Sequence, residues 1–207
     1  MILKTYGGYM NSNLYIYPTD TVWGIGGSAY NPDSYEKISL IKKTGNKKPL
    51  SLLFSTMDQL KSHINLSDKF TELFEDLYHL GFSAGVPKEL LVNSLPHSPF
   101  SNTKYVCFRL LNSGLFQGLD EVIDFPITTT SLNVSGQNPI TSLEEAKDFW
   151  QKYVPDAKFI EAQTAKNLSG KASSIVLFNE NTYKVVREGD NLQEIVKIIE
   201  NYGYRKN

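Results

Sequence analysis

At 207 residues the chain has the length of one large domain, or of one domain with a small appendage. With 41% hydrophobic and 21% charged residues it can bury a sizeable core, which excludes disordered, collagen-like and low-complexity architectures. Lysine and arginine total 21 against 22 acidic residues, so a net charge of -1 excludes a broad nucleic-acid-binding surface, and any contact with RNA must be local.

The first residues, Met1 to Gly8, lack the apolar core of a signal peptide, and no stretch approaches the ~20 apolar residues of a membrane span. A cytoplasmic protein with no membrane partner is expected. The single cysteine, Cys107, leaves no internal disulfide and no cysteine-based zinc site, which fits a reducing compartment.

Strand-type runs alternate with helix-type segments along the whole chain, which predicts a mixed α/β sheet. Leu14 to Tyr17 reads as the first strand, followed by a polar, glycine-rich loop over Pro18 to Gly27. Asn31 as cap, Pro32 in the first turn and Tyr35, Ile38 and Ile41 on one face predict a helix that ends in Lys42 and Lys43. A strand over Leu50 to Phe54 and a helix from Met57 to Ile64 follow. A longer amphipathic helix starts at Ser67, turns Phe70, Leu73, Phe74 and Leu77 inward and stops at Gly81.

Ser83 to Lys104 holds three of the nine prolines and reads as an irregular loop able to move. Tyr105 to Leu110 and Ile127 to Ser131 read as buried strands, and Thr141-Ser142-Leu143-Glu144 as a capping box opening a helix through Trp150. Ser173 to Phe178 and Thr182 to Arg187 form a predicted hairpin. Asp190 is the expected cap of a last helix with Leu192, Ile195, Ile198 and Ile199 inward.

Three stretches carry candidate chemistry. Pro18-Thr19-Asp20-Thr21-Val22-Trp23-Gly24 sets hydroxyls, a carboxylate and backbone just after a strand, where α/β proteins bind ligands. The glycines from 24 to 27 formally fit a dinucleotide fingerprint, but no acidic residue lies about 20 positions on, so tight packing is the better account of them. Lys42-Lys43-Thr44-Gly45-Asn46-Lys47-Lys48 puts four lysines in seven positions, either a solvated basic turn or a polyphosphate clamp. Thr128 to Gly136 runs a threonine-rich strand into Ser131-Leu132-Asn133, whose donors suit phosphate or ribose. Arg109 and Arg187 sit in strands, where each guanidinium needs an anionic partner, an internal carboxylate or a ligand. His63, His79 and His97 lack metal or triad spacing, and no serine-hydrolase, zinc or Walker A motif is present.

In this order the motifs make the chain resemble the YrdC/Sua5 family of threonylcarbamoyl-AMP synthases. The match covers about residues 12–190: the Pro-Thr-Asp-Thr-Val-aromatic-Gly loop at 18–24, the lysine stretch at 42–50, the arginine strand at 109, Ser-x-Asn at 131–133 with Ser-Gly at 135–136, Ser-Ser-Ile-Val at 173–176 and Arg-x-Gly at 187–189. The resemblance implies one YrdC-like domain over 1–207, an open twisted sheet with flanking helices and a basic central cavity, without the extra domain of longer Sua5 members.

The implied reaction joins L-threonine, bicarbonate and ATP, with Mg²⁺, into threonylcarbamoyl-AMP and pyrophosphate. A downstream transferase complex then modifies adenosine 37 of tRNA, with weak tRNA binding by this protein itself conceivable. By position, Thr21, Trp23, Arg109, Thr129 and Ser173 would hold threonine, while Lys42, Thr44, Lys48, Ser131, Asn133 and Arg187 would hold ATP. Lys42, Lys48, Ser131 and Asn133 are then the implied catalytic residues.

Four positions depart from the family pattern: Thr44 replaces an arginine, Trp23 a tyrosine and Pro139 a serine, and no Pro-Gly-Pro is evident near Leu80-Gly81-Phe82. Losing a cation beside a developing charge costs about 10²–10³ in rate unless Lys43 or Lys47 takes its place. The departures keep two other readings open, a divergent paralogue that binds a nucleotide but makes another adenylate or none, and an RNA-binding module.

Overall fold

The computed structural model describes residues 14–43, 50–95, 100, 103–110, 126–161 and 168–207. Its strands are β1 (Leu14–Pro18), β2 (Trp23–Ser28), β3 (Ser51–Phe54), β4 (Phe82–Pro87), β5 (Tyr105–Leu110), β6 (Ile127–Ser131), β7 (Lys158–Phe159), β8 (Ser174–Asn179), β9 (Thr182–Arg187) and β10 (Arg205–Lys206). They join in one mixed sheet of order β10-β9-β8-β4-β5-β3-β6-β2-β1-β7. The described helices are α1 (Pro32–Lys42), α2 (Met57–His63), α3 (Asp68–Leu77), α4 (Leu143–Tyr153) and α5 (Leu192–Asn201). The expected α/β sheet with flanking helices is the observed architecture.

Because successive side chains of a strand point to opposite faces, each central strand divides its residues in two. Leu52, Phe54, Phe82, Ala84, Val86, Val106, Phe108, Val176 and Phe178 meet Leu60 of α2, Phe70, Leu73, Phe74 and Leu77 of α3, and Ile195 and Ile199 of α5 in one apolar core. A second cluster packs Leu14, Ile16, Trp23 and Ile25 against Ile38 of α1 and Ala146 and Phe149 of α4. The alternate residues Ser51, Ser83, Arg109, Thr129 and Ser131 are polar and line a cavity.

Caps fix the helix starts. Asn31 accepts from the Asp33 amide, Thr56 from Gln59 and Ser67 from Phe70, each satisfying a donor that the first helical turn leaves open. Lys43 closes α1 in the left-handed conformation at φ 55°.

Several expectations are corrected. The glycine-rich stretch after β1 is not all loop: residues 23–28 form β2, antiparallel to β1 and β6. Glycine serves packing there, since a Cβ on Gly26 would collide with the Thr128 carbonyl oxygen. The supposed loop Ser83–Lys104 contains β4, a central strand between β5 and β8, whose small Ser83, Ala84 and Gly85 carry little strand propensity but fit a crowded position. The capping box is Ser142 with Glu145, one residue later than expected: the hydroxyl accepts from the Glu145 amide at 3.2 Å and donates to its carboxylate at 2.9 Å, and the helix continues to Tyr153. Asp190 does not cap α5: its carboxylate pairs with Lys171 Nζ at 2.8 Å, and Asn191 stands at the cap with its side chain donating to the Leu80 carbonyl at 3.1 Å rather than bonding the helix.

Candidate active site

The cavity holds about 280 Å³ and opens where β2, β6, β5, β4 and β9 present their polar faces. Three local constructions build it.

The first is the turn after β1. The Thr19 hydroxyl accepts from the amides of Thr21 and Val22, both at 3.1 Å, and donates to the Val22 carbonyl at 2.7 Å. That closed turn presents Thr21 Oγ1, 3.0 Å from Thr19 Oγ1, to the Arg109 side chain. Arg109, 6% exposed in the middle of β5, donates Nη2 to Asp20 Oδ1 at 2.5 Å and Nη1 to Thr21 Oγ1 at 3.4 Å, while its enclosed Nε has no partner. The internal carboxylate that a buried strand arginine requires is therefore Asp20.

The second construction is the turn after β6. Leu132 anchors it in the second core cluster, with its amide bonded to the Trp23 carbonyl at 2.7 Å. Lys42, at the end of α1, sends its ammonium to the Ser131 carbonyl (2.6 Å), the Asn133 carbonyl (3.1 Å) and Asn133 Oδ1 (2.7 Å). Ser131 Oγ donates to the same Oδ1 at 2.7 Å, and Asn133 Nδ2 donates to the Gln137 carbonyl at 2.7 Å. Three N–H groups of Lys42 thus meet three acceptors of one turn, so this lysine fixes the Ser-x-Asn segment and adds positive charge beneath it.

The third lies at the β8–β9 end. Arg187 donates Nε to the Ser173 carbonyl at 2.7 Å and Nη2 to Ser173 Oγ at 3.0 Å, and Ser173 Oγ lies 2.9 Å from Ser83 Oγ. The glycine of Arg-x-Gly serves close approach, because a Cβ on Gly189 would sit 2.6 Å from the Ser174 nitrogen and 2.8 Å from the Ala172 carbonyl oxygen. Burial, and after it the positive charge of Arg109, push the Arg187 guanidinium below its usual pKa. The two guanidiniums therefore feel each other across the cavity. Beside them Tyr17 donates to Thr129 Oγ1 at 2.6 Å, and complete burial drives its phenol far above the usual range against the opposing pull of that hydrogen bond and of Arg109.

Thr21, Trp23, Lys42, Arg109, Thr129, Ser131, Asn133, Ser173 and Arg187 all border this one cavity; Thr44 and Lys48 lie outside the described residues. Trp23 borders the cavity from within the core. It is 0% exposed, stacks on Phe159 at 5.2 Å between ring centroids, and so is core rather than an open aromatic wall. Among the described residues the lining includes Lys42, Arg109 and Arg187 and no carboxylate.

The family model of Sua5, YciO and YrdC, whose description reads "Telomere recombination", matches residues 10–189. The chain belongs to this family. A protein of Methanocaldococcus jannaschii is 27% identical over 184 residues, covering 87% of this chain and 81% of its own. The threonylcarbamoyl-AMP synthase of Actinobacillus pleuropneumoniae serotype 3 is 26% identical over 176 residues, or 84% of this chain and 90% of its own. The structure of P. abyssi Sua5 complexed with L-threonine shares the fold with a TM-score of 0.75 at 20% identity, over 95% of this chain. This chain spans only 56% of that Sua5 chain.

Sequence reasoning passed over three residues that shape this family site. Thr19 organises the first turn, Asp20 holds Arg109, and Ser83 bonds Ser173. Asp20 could have been found from the need of Arg109 for a counter-charge. Ser83 was hidden by the reading of its strand as a loop.

Proposed function

We propose that the protein is an L-threonylcarbamoyladenylate synthase, a nucleotidyltransferase that forms threonylcarbamoyl-AMP and pyrophosphate from L-threonine, bicarbonate and ATP. The observation that carries this reading is a cavity whose lining, among the described residues, holds three cationic side chains and no carboxylate, with Arg187 depressed first by burial and then by the charge of Arg109. Such an arrangement is stabilised by a bound anion, and both ATP and an amino-acid carboxylate are anions.

In this mechanism the threonine amine forms a bond to the bicarbonate carbon with loss of water. A carbamate oxygen then attacks the α-phosphorus in line, and the bond to pyrophosphate breaks. The protein need supply no nucleophile; it positions three substrates and stabilises the leaving charge. Arg109 takes the amino-acid carboxylate, Thr21, Thr129 and Ser173 offer hydroxyls to the amino acid, and Ser131 with Asn133 faces the nucleotide on the turn that Lys42 fixes. Arg187 adds positive charge on the phosphate side, where Lys48 and Thr44 complete the proposed set.

Mg²⁺ fits as part of the triphosphate substrate. It is a hard cation satisfied by phosphate oxygens and water, and among the described residues no group of three His, Cys, Asp or Glu side chains is gathered to hold a metal. Bound there, it would neutralise part of the charge that gathers on pyrophosphate.

The product would serve a separate transferase that modifies adenosine 37 of tRNA, and a cytoplasmic site of action goes with that role. No described helix is long and apolar enough to cross a membrane.

The test is pyrophosphate release from ATP and bicarbonate with and without L-threonine, with mass analysis of the product. Threonine-dependent release of threonylcarbamoyl-AMP is expected. A folded, ATP-binding sample without turnover favours the divergent paralogue, to which Thr44 in place of the family arginine already points. Sub-micromolar tRNA binding without ATP would favour the RNA-binding reading instead.

A further inference from the structure

The cavity wall holds two guanidiniums in opposite surroundings. Arg187 bonds only the carbonyl and hydroxyl of Ser173 and forms no ion pair among the described residues, so it keeps its full positive charge. Arg109 is tied to a carboxylate through one nitrogen, reaches Thr21 through a second at 3.4 Å and leaves Nε, buried, without a partner. An enclosed N–H of a cation without an acceptor is costly, so the fold holds this guanidinium through Asp20 and Thr21 at the expense of its remaining donor.

Arg109 lines the cavity whereas Asp20 does not. The carboxylate therefore holds the guanidinium, by Nη2, from outside the cavity lining. Asp20 is 24% exposed in its side chain and is not what holds the turn together. The turn closes through the Thr19 hydroxyl, and the Asp20 backbone carbonyl accepts from the Ser169 amide at 3.2 Å.

We propose that Asp20 is the positioning residue of the amino-acid subsite, fixing the Arg109 guanidinium in the cavity wall, where it meets the carboxylate of the amino-acid substrate. The inference rests on the reading of the protein as an enzyme that consumes an amino acid. A guanidinium held in place loses less rotamer freedom on binding than a mobile one. Arg187, which forms no ion pair among the described residues, is left to draw the polyphosphate.

L-Threonine binding to the wild type, Asp20→Ala and Asp20→Asn, measured by calorimetry, tests this, together with steady-state turnover and urea midpoints. Asp20→Ala weakens L-threonine binding about tenfold or more and raises its KM in step, lowers the urea midpoint because the buried guanidinium loses its counter-charge, and leaves the KM for ATP and, within about threefold, kcat as they are. Asp20→Asn, which keeps an acceptor oxygen at the same place, recovers part of the loss.

Equal or tighter L-threonine binding by Asp20→Ala overturns the proposal. So does a wild type that binds no L-threonine, or an equal loss of affinity for L-threonine and ATP. A wild type that binds L-threonine in an Asp20-dependent way yet makes no adenylate would sink the functional reading and leave the role of Asp20 standing.

Discussion

The two faces of the central strands are built from alternate residues of the same segments, and they do opposite work. On the helix-covered face, Phe54, Phe82, Phe108 and Phe178 are at most 3% exposed and lock with Phe74 and Leu73 of α3. On the cavity face, the same strands present Ser51, Ser83 and Arg109, joined by Arg187 from β9, with one buried guanidinium nitrogen left unbonded and the second guanidinium depressed in pKa by burial and then by Arg109. The lesson is that stability and chemistry are separated by one step along the chain. Substitution on the first face should move the unfolding midpoint, and substitution on the second should move kinetics.

The largest effect is expected on the helix-covered face. Phe108→Ala opens a hole between Phe54 and Phe74, whose ring centroids lie 6.2 and 5.1 Å away, and should cost about 3–5 kcal/mol in urea unfolding. Lys42→Met breaks the division, because Lys42 is both a cavity cation and the partner of three acceptors on the Ser131–Asn133 turn. Turnover should fall about 10²–10³-fold and stability by about 1–3 kcal/mol, read from the same preparation by kinetics and unfolding.

Arg187→Gln sharpens the division. It relieves the repulsion with Arg109, so the midpoint should hold or rise, while the KM for ATP climbs about tenfold. The smallest effect concerns Tyr183, whose phenol, buried beside α5 and bonded to the Glu200 carboxylate at 2.7 Å, is pushed up to about 12. Between pH 10 and about 12 the unfolded chain loses this proton and the folded one keeps it, so stability falls as pH rises and is intact below that window. Tyr183→Phe should flatten that part of the alkaline unfolding curve.

Much of this arrangement was legible in the sequence because periodicity and capping act locally. Asn31-Pro32 starts α1 and Ser67 starts α3 where the pattern placed them, and the threonine-rich β6 runs as expected into the Ser131–Asn133 turn. What escaped depends on partners distant in sequence. Phe82 to Pro87 looks like a loop until β5 and β8 flank it, and the glycines of β2 look like a turn until Thr128 and Tyr17 press on them. The same holds for the site. The motif residues were visible one by one, but the Arg109–Asp20 contact spans 89 positions and the bonds from Lys42 to Asn133 span 91, so only the fold reveals which charges are already matched.

The most direct test of the account is Arg109→Met, with L-threonine-dependent pyrophosphate release and the urea midpoint taken from one preparation. Release is expected to drop by about 10²-fold or more while the midpoint stays within error of the wild type, since the substitution removes a cation that the fold does not need. Undiminished release, or a loss of release matched by a collapse of the midpoint, would contradict the claim that the polar face of this sheet is where the chemistry is done.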